Sequence, residues 1–201
     1  MVIFLDLDGT LFKAKEVMLR AIRRLFADYG VPAPDEESIL KTAPQGAVVT
    51  LLDMLDARTS DVLIRYKELI RESIIECGEL FPGVRETLRQ LYSDEHELIV
   101  VSNSPEDYIR LALEQTGISG LITRFYSAEP YKSKSELIGI LAKGRTSAAV
   151  VGDTHGDVEA AHENGLPAVA VTYGYGNKQM LENADVIVKS AEEIPLAVGK
   201  L

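Results

Sequence analysis

The stretch FLDLDGTLF, residues 4–12, leads from a short apolar run into two closely spaced aspartates, Asp6 and Asp8. A short run that is continuously apolar, as this one is from residue 2, is typical of a parallel β-strand buried on both faces. Similar runs lie at residues 98–101, 148–151, 168–171 and 185–188. Amphipathic helical patterns alternate with the runs. We therefore predict an α/β fold with a doubly wound parallel sheet.

One region interrupts this alternation and shows helical periodicity without a strand pattern. It predicts a small all-helical cap at residues 13–78, inserted after the first strand of a catalytic core at residues 1–12 and 79–201. A lid that closes over a site is a natural use for such an insertion, and a purely structural subdomain is the alternative.

The composition and net charge of the chain limit the kinds of partner that it can bind. Its 201 residues include 21 Lys and Arg against 31 Asp and Glu, a net charge of −10 without a basic run. This balance argues against nucleic acid and anionic membrane surfaces as partners. No apolar stretch is long enough to span a membrane, and Asp6 follows too early for a signal peptide, so we expect a cytoplasmic protein. A homo-oligomer is compatible with the sequence.

Polar clusters follow three of the predicted strands, at residues 6–10, 102–104 and 152–157. Since ligands bind at the carboxyl ends of strands in open α/β sheets, we expect these clusters to converge. They would bring together the carboxylates of Asp6, Asp8, Asp153 and Asp157. Two such charges about 4 Å apart repel by roughly 4 kcal/mol at an effective dielectric constant of 20. The cluster therefore needs a cation, and oxygen ligands in an open arrangement favour Mg²⁺.

Four segments carry a resemblance to a known family. DLDGT, VVSNS, the lysine that opens a helix in KSKSELI, and VVGDTHGD match in order the four motifs of the haloacid dehalogenase superfamily of phosphohydrolases. FPGVRETLRQL and VGDTHGDVEAAHENGLPAVAVTYGYG are most similar to its phosphoglycolate phosphatase branch. The resemblance implies a Mg²⁺-dependent phosphatase that acts on a small phosphorylated metabolite, with phosphoglycolate favoured.

The resemblance also implies a role for each motif residue. Asp6 would be the nucleophile that forms an aspartyl-phosphate, and Asp8 the general acid and then the general base. Mg²⁺ would be held by Asp6, the backbone carbonyl of Asp8 and Asp153, with Asp157 as a ligand or a support for the ligands.

Phosphate contacts are implied for residues after the second predicted strand and near the predicted helix at residue 134. Ser102 would offer its hydroxyl to the phosphoryl oxygens, and Asn103 lies beside it in the motif. The motif lysine is Lys134 if it opens the helix, which we favour, or Lys132 if the segment follows the Lys-Pro-x-Pro version of the motif.

The sequence gives weaker signals for the residues that select the substrate. The KTAPQGAV loop at residues 41–48 makes Thr42, Gln45 and Gly46 candidates for substrate contact, and an ordinary interhelical turn is the alternative. Lys13 stands where the family commonly has an aspartate. Its positive charge would favour a second anionic group on the substrate.

Two alternative functions share these motifs. A phosphomutase of the same superfamily would use the same residues but retain the phosphoryl group. A catalytically silent binding module is the other alternative, although such a protein would be expected to have lost Asp6, Asp8 or Asp153.

Overall fold

The computed structural model describes residues 1–42, 54–55 and 59–201. The chain divides into two compact units, of which one comprises residues 1–13 and 79–201 and the other residues 14–78. Among the described residues, no helix combines the length and apolar character that crossing a membrane requires.

The first unit is built on one six-stranded sheet. Its strands are β1 (Val2–Leu5), β2 (Glu97–Ser102), β3 (Arg124–Ser127), β4 (Ala148–Gly152), β5 (Ala168–Val171) and β6 (Val186–Val188). The α-helices of the described residues, in chain order through both units, are α1 (Ala14–Asp28), α2 (Glu36–Thr42), α3 (Thr59–Cys77), α4 (Val84–Ser93), α5 (Glu106–Gln115), α6 (Lys134–Ala142), α7 (His155–Glu163) and α8 (Ile194–Val198).

The sheet has the order β3-β2-β1-β4-β5-β6, and every pair of neighbouring strands is parallel. All residues of β1 and β4 are buried, which explains why these strands read as uninterrupted apolar runs. The predicted α/β fold with a doubly wound parallel sheet is confirmed.

Strand β3 is the strand that the sequence patterns did not predict. It lies at the edge of the sheet, and its residues are exposed or only partly buried, beginning with an exposed Arg124. Because an edge strand lacks a neighbour on one side and is only partly covered, it does not show the apolar run used to find the others.

The order of the strands determines where a site can form. From β1 the chain adds β2 and β3 on one side, and it then returns to place β4 on the other side of β1. The reversal point therefore lies between β1 and β4, whose carboxyl ends lead into Asp6 and Asp153. Ligand sites of doubly wound sheets form at such a reversal point.

The second unit is helical in its described part, and α1 packs against α3. Its buried residues include Ile22, Leu25 and Phe26 of α1 and Val62 and Leu69 of α3. Thr42 is the last residue of α2, whereas Gln45 and Gly46 lie outside the described residues.

Candidate active site

A buried lysine lies between two buried carboxylates at the end of β1. Lys134 Nζ donates to Asp6 Oδ1 and to Asp157 Oδ1, each at 2.6 Å, and all three residues are less than a tenth exposed. Burial alone lowers the pKa of Lys134, but the carboxylates of Asp157 and Asp6 outweigh that effect and raise it. The lysine is therefore held protonated.

The local sequence explains why Lys134 reaches this position. Ser133 caps α6, since its hydroxyl accepts the backbone N–H of Glu136 at 3.1 Å, and this makes Lys134 the first residue of the helix. Lys132 is exposed, and its backbone N–H donates to Glu136 Oε2 at 2.8 Å. Of the two lysines considered from the sequence, the structure brings Lys134 to the carboxylates.

Asp153 follows β4 and receives hydrogen bonds from two directions. The backbone N–H groups of Tyr175 and Gly176 donate to its Oδ2 at 2.7 and 3.2 Å, and the Thr10 hydroxyl donates to its Oδ1 at 3.3 Å. Burial raises the pKa of Asp153 to about 6, although the N–H of Tyr175 acts in the opposite direction. The backbone thus fixes the orientation of a fully buried carboxylate.

Asp157 is the third residue of α7 and uses both carboxylate oxygens. Oδ1 accepts from Lys134, while Oδ2 accepts the backbone N–H of Thr154 at 3.0 Å and its hydroxyl at 2.7 Å. The bond from the Thr154 backbone N–H to Asp157 is one half of a capping box at the start of α7.

The carboxylates of Asp6, Asp153 and Asp157 form a group that could bind a metal ion. One oxygen from each lies within 4.8 Å of the others, and all three residues are buried. Burial raises the pKa of Asp6 well above its ordinary value, with Lys134 opposing this rise and Asp157 and Asp153 adding to it. A single lysine carries too little positive charge to balance three carboxylates. An oxygen-only donor set with excess negative charge fits a hard divalent cation.

Asp8 has different surroundings from Asp6, although only one residue separates them. The Ser104 hydroxyl donates to Asp8 Oδ2 at 2.6 Å, and the Tyr108 hydroxyl donates to Oδ1 at 2.8 Å. Burial raises the pKa of Asp8, and the hydrogen bonds from Ser104 and Tyr108 partly offset this rise. The two aspartates of the opening motif therefore serve different hydrogen-bond networks.

The remaining predicted site residues are distributed as follows. Ser102 ends β2, is 2% exposed, and accepts the backbone N–H of Ser104 on its Oγ at 3.0 Å. Asn103 is exposed. Lys13 forms a 3.0 Å ion pair with Glu79, so its charge is balanced by a carboxylate within the same unit.

Comparison with known proteins supplies the family. The model of the haloacid dehalogenase-like hydrolase family matches residues 2–171, which include Asp6, Asp8, Lys134, Asp153 and Asp157. The chain belongs to this family.

Named relatives and solved structures agree with that assignment. A phosphoglycolate phosphatase of Haemophilus influenzae (strain 86-028NP) is 28% identical over 189 residues, which cover 85% of this chain and 84% of the relative. The crystal structure of a predicted phosphoglycolate phosphatase from Haemophilus somnus 129pt superposes with a TM-score of 0.78 at 25% identity, covering 98% of this chain and 96% of the other. A predicted β-phosphoglucomutase from Thermotoga maritima shares the fold, with a TM-score of 0.84 at 20% identity and coverage of 100% and 99%.

These findings confirm the recognised superfamily and the enzyme class, a haloacid dehalogenase-type phosphatase. Members of this class generally use a divalent metal, and the buried acidic group of Asp6, Asp153 and Asp157 is consistent with that use.

In this haloacid dehalogenase-like hydrolase, sequence reasoning missed two parts of the site. Tyr108 and the loop at residues 172–177, which supplies the N–H groups for Asp153, were assigned no role. The sequence holds only weak signals for these two parts. Tyr108 follows Ser104 by four positions, and Gly174 and Gly176 have the pattern of ordinary turn glycines. Neither pattern identifies a partner that lies far away in the sequence.

Proposed function

We propose that the protein is a Mg²⁺-dependent phosphatase that hydrolyses a small phosphate monoester, with phosphoglycolate favoured, through an aspartyl-phosphate on Asp6. The observation that supports this most directly is the difference between the two aspartates. Asp6 contacts Lys134 beside two further carboxylates, whereas Asp8 contacts two neutral hydroxyls. Two carboxylates with separate environments are suited to separate roles as nucleophile and as acid–base group.

Asp6, Asp153, Asp157 and the backbone carbonyl of Asp8 are the groups that would hold Mg²⁺. Bound there, the ion would neutralise the acidic group and stabilise the charge on the transferring phosphoryl oxygens. Lys134 supplies a second positive charge at Asp6, which favours the ionised form of the nucleophile against the effect of burial and lowers its repulsion toward an anionic substrate.

In the first step, a carboxylate oxygen of Asp6 attacks phosphorus and forms an O–P bond as the bond to the leaving oxygen breaks. Asp8, in its acid form, gives its proton to that leaving oxygen, so the product departs as an alcohol. The Ser102 hydroxyl and the neighbouring Asn103 are proposed to contact the phosphoryl oxygens.

In the second step, Asp8 accepts a proton from water while the water oxygen attacks the phosphorus of the aspartyl-phosphate. The bond to Asp6 breaks, which releases inorganic phosphate and restores the carboxylate of Asp6 and the acid form of Asp8. The chain's own groups thus complete a balanced cycle.

The names of the relatives support phosphoglycolate as the favoured substrate, since the relatives at 25–29% identity are named phosphoglycolate phosphatases. Substrate contacts by Thr42, Gln45, Gly46, Lys132 and Lys13 stay proposals. The ion pair of Lys13 with Glu79 weakens the case for Lys13 as a binding site for a second anionic group.

The test is a screen of small phosphate esters, including phosphoglycolate and hexose phosphates, with phosphate release measured in Mg²⁺ and in excess EDTA. We expect Mg²⁺-dependent release, highest for phosphoglycolate. Transfer of the phosphoryl group to a second hydroxyl of a sugar phosphate, without release, would support the phosphomutase instead. Inactivity on every ester would contradict both enzymes and favour a silent binding module.

A further inference from the structure

Two hydroxyl groups hold the Asp8 carboxylate, one on each oxygen. Ser104 Oγ donates to Oδ2 at 2.6 Å and Tyr108 OH donates to Oδ1 at 2.8 Å. Ser104 lies just before Pro105, which precedes α5, and Tyr108 is the third residue of that helix. The two donors therefore flank the start of α5, four positions apart in the sequence.

Both donors are themselves held in place. The Tyr108 ring packs edge-on against the fully buried Phe12, with ring centroids 6.2 Å apart and planes at 84°. The backbone N–H of Ser104 donates to Ser102 Oγ at 3.0 Å, which ties the segment to the end of β2. Because packing and backbone contacts restrict both hydroxyls, they restrict the rotation of the carboxylate that they contact.

The position of this carboxylate matters because three others lie close by. A fourth carboxylate turned toward Asp6, Asp153 and Asp157 would add repulsion and leave no separate acid–base group. Hydrogen bonds on both oxygens stabilise the rotamer in which Asp8 faces α5 instead.

We propose that Ser104 and Tyr108 are positioning residues that keep the Asp8 carboxylate out of the acidic group and aimed at the leaving oxygen of the substrate. This inference rests on the proposed function, since it takes Asp8 as the proton donor of the first step. A donor misplaced by about 1 Å can cost on the order of a hundredfold in rate.

The inference predicts a dependence on the leaving group. An alkyl phosphate loses a basic alkoxide, which needs a proton from Asp8 as the P–O bond breaks, whereas p-nitrophenyl phosphate loses a stabilised phenolate that needs little help. Misplacing Asp8 should therefore slow the first reaction far more than the second. The quantity to compare is kcat/KM, because it reports the steps up to departure of the leaving group.

The experiment measures kcat/KM of the full chain with Mg²⁺ on p-nitrophenyl phosphate and on the best alkyl phosphate of the screen. Tyr108→Phe keeps the ring against Phe12 and removes only the hydroxyl, and Ser104→Ala is the second variant. We expect each to lose about tenfold to a hundredfold on the alkyl ester and less than about threefold on the aryl ester. Tyr92→Phe, at an exposed tyrosine of α4, is the matched control and should change neither value.

A double-mutant cycle distinguishes action through Asp8 from direct contact with substrate. If Tyr108 acts through Asp8, Tyr108→Phe should cost nothing further in a chain that already carries Asp8→Asn. Two results would overturn the positioning role without contradicting the proposed phosphatase. One is an equal loss of kcat/KM on both esters, and the other is a loss from Tyr108→Phe that is as large in the Asp8→Asn chain as in the wild type. A wild-type protein inactive on both esters would overturn the proposed function, and the inference with it.

Discussion

Asp6 and Asp8 show how two identical side chains acquire different surroundings although only one residue separates them in the sequence. Lys134 offsets the charge of Asp6, which lies beside Asp153 and Asp157. Asp8 instead receives two neutral hydroxyl donors. At the scale of single residues, the chemistry of the site depends on which donor each carboxylate meets.

Replacing the proposed nucleophile should remove activity without unfolding the protein. Asp6→Asn keeps the size of the side chain but cannot form the aspartyl-phosphate, so we expect turnover to fall by at least about 10³-fold. Asp94→Asn, at an exposed aspartate after α4, is the matched control. Phosphate release and the melting temperature should be measured for both; activity within tenfold of wild type in a folded Asp6→Asn protein would exclude Asp6 as the nucleophile.

Asp185 should make stability depend on pH in the acid range. The backbone N–H of Ala168, at 2.8 Å, and then His162 Nε2, at 3.0 Å, lower the pKa of Asp185 below its ordinary 3.8. A lowered folded pKa means that the carboxylate stabilises the fold above pH of about 4 and that this contribution is lost as the pH falls through the lowered pKa.

Asp185→Asn should therefore destabilise the protein at pH 7 by about 1 kcal/mol, a value kept small because the side chain is about half exposed. The difference in unfolding free energy from wild type should shrink as the pH falls below 4. Denaturant unfolding at several pH values measures it, and a difference that grows in acid would contradict the assignment.

The loop at residues 172–177 shows how an element outside the four motifs contributes hydrogen-bond donors to the site. A Cβ built at Gly174 would lie 2.3 Å from the carbonyl oxygen of Gly9 and 2.4 Å from Asp153 Cβ, and one at Gly176 would lie 1.8 Å from the carbonyl oxygen of Asp153. These glycines are needed because the loop backbone must approach closely enough for its N–H groups to reach Asp153 Oδ2.

Gly174→Ala should push this loop away from Asp153 and lower stability by about 1–3 kcal/mol, as overpacking of a close contact does. Because the loop orients a proposed metal ligand, the variant should also weaken the Mg²⁺-induced rise in melting temperature. Gly120→Ala is the matched control, since a Cβ there meets nothing within 4 Å. An unchanged response to Mg²⁺ in Gly174→Ala would show that the loop does not support metal binding.

At the scale of the whole molecule, an acidic protein must bind an anionic substrate. The net charge of −10 repels phosphate, but screening reduces this effect beyond about 8 Å at physiological ionic strength. Lys134 and a bound cation would therefore dominate close to the phosphoryl group, while the distant acidic surface contributes little.

Mg²⁺ should stabilise the folded chain as a whole, because the acidic group exists only when the sheet has formed. At about 100 times the dissociation constant, binding contributes roughly 2.7 kcal/mol, which corresponds to about 5–10 °C in a chain of this size. We expect EDTA to reverse the rise and Asp153→Asn to abolish it. Thermal unfolding measures both, and the absence of any shift in wild type would argue against a metal site.

Sequence patterns predicted five of the six strands, because buried parallel strands are continuously apolar, and missed β3, whose residues are partly exposed at the sheet edge. The aspartates of the site were predicted because they follow strand ends, and Lys134 was predicted from the resemblance to the family. Tyr108 was not, since it reaches Asp8 across 100 positions of sequence and its helical pattern is that of any amphipathic helix.

The sequence by itself determined the class of fold and the gathering of aspartates at the strand ends, because continuously apolar runs specify a buried parallel sheet and residues that follow such strands meet where the strands end. It predicted four carboxylates in one cluster, whereas the structure groups Asp6, Asp153 and Asp157 and turns Asp8 away. Only the tertiary structure decided which partner each aspartate meets. It brought Lys134 rather than Lys132 to Asp6, turned Asp8 toward Ser104 and Tyr108, and set the 172–177 loop on Asp153. The physical reason is that hydrogen bonds depend on distances of a few tenths of an ångström between residues far apart in sequence, and only the packed chain sets those distances.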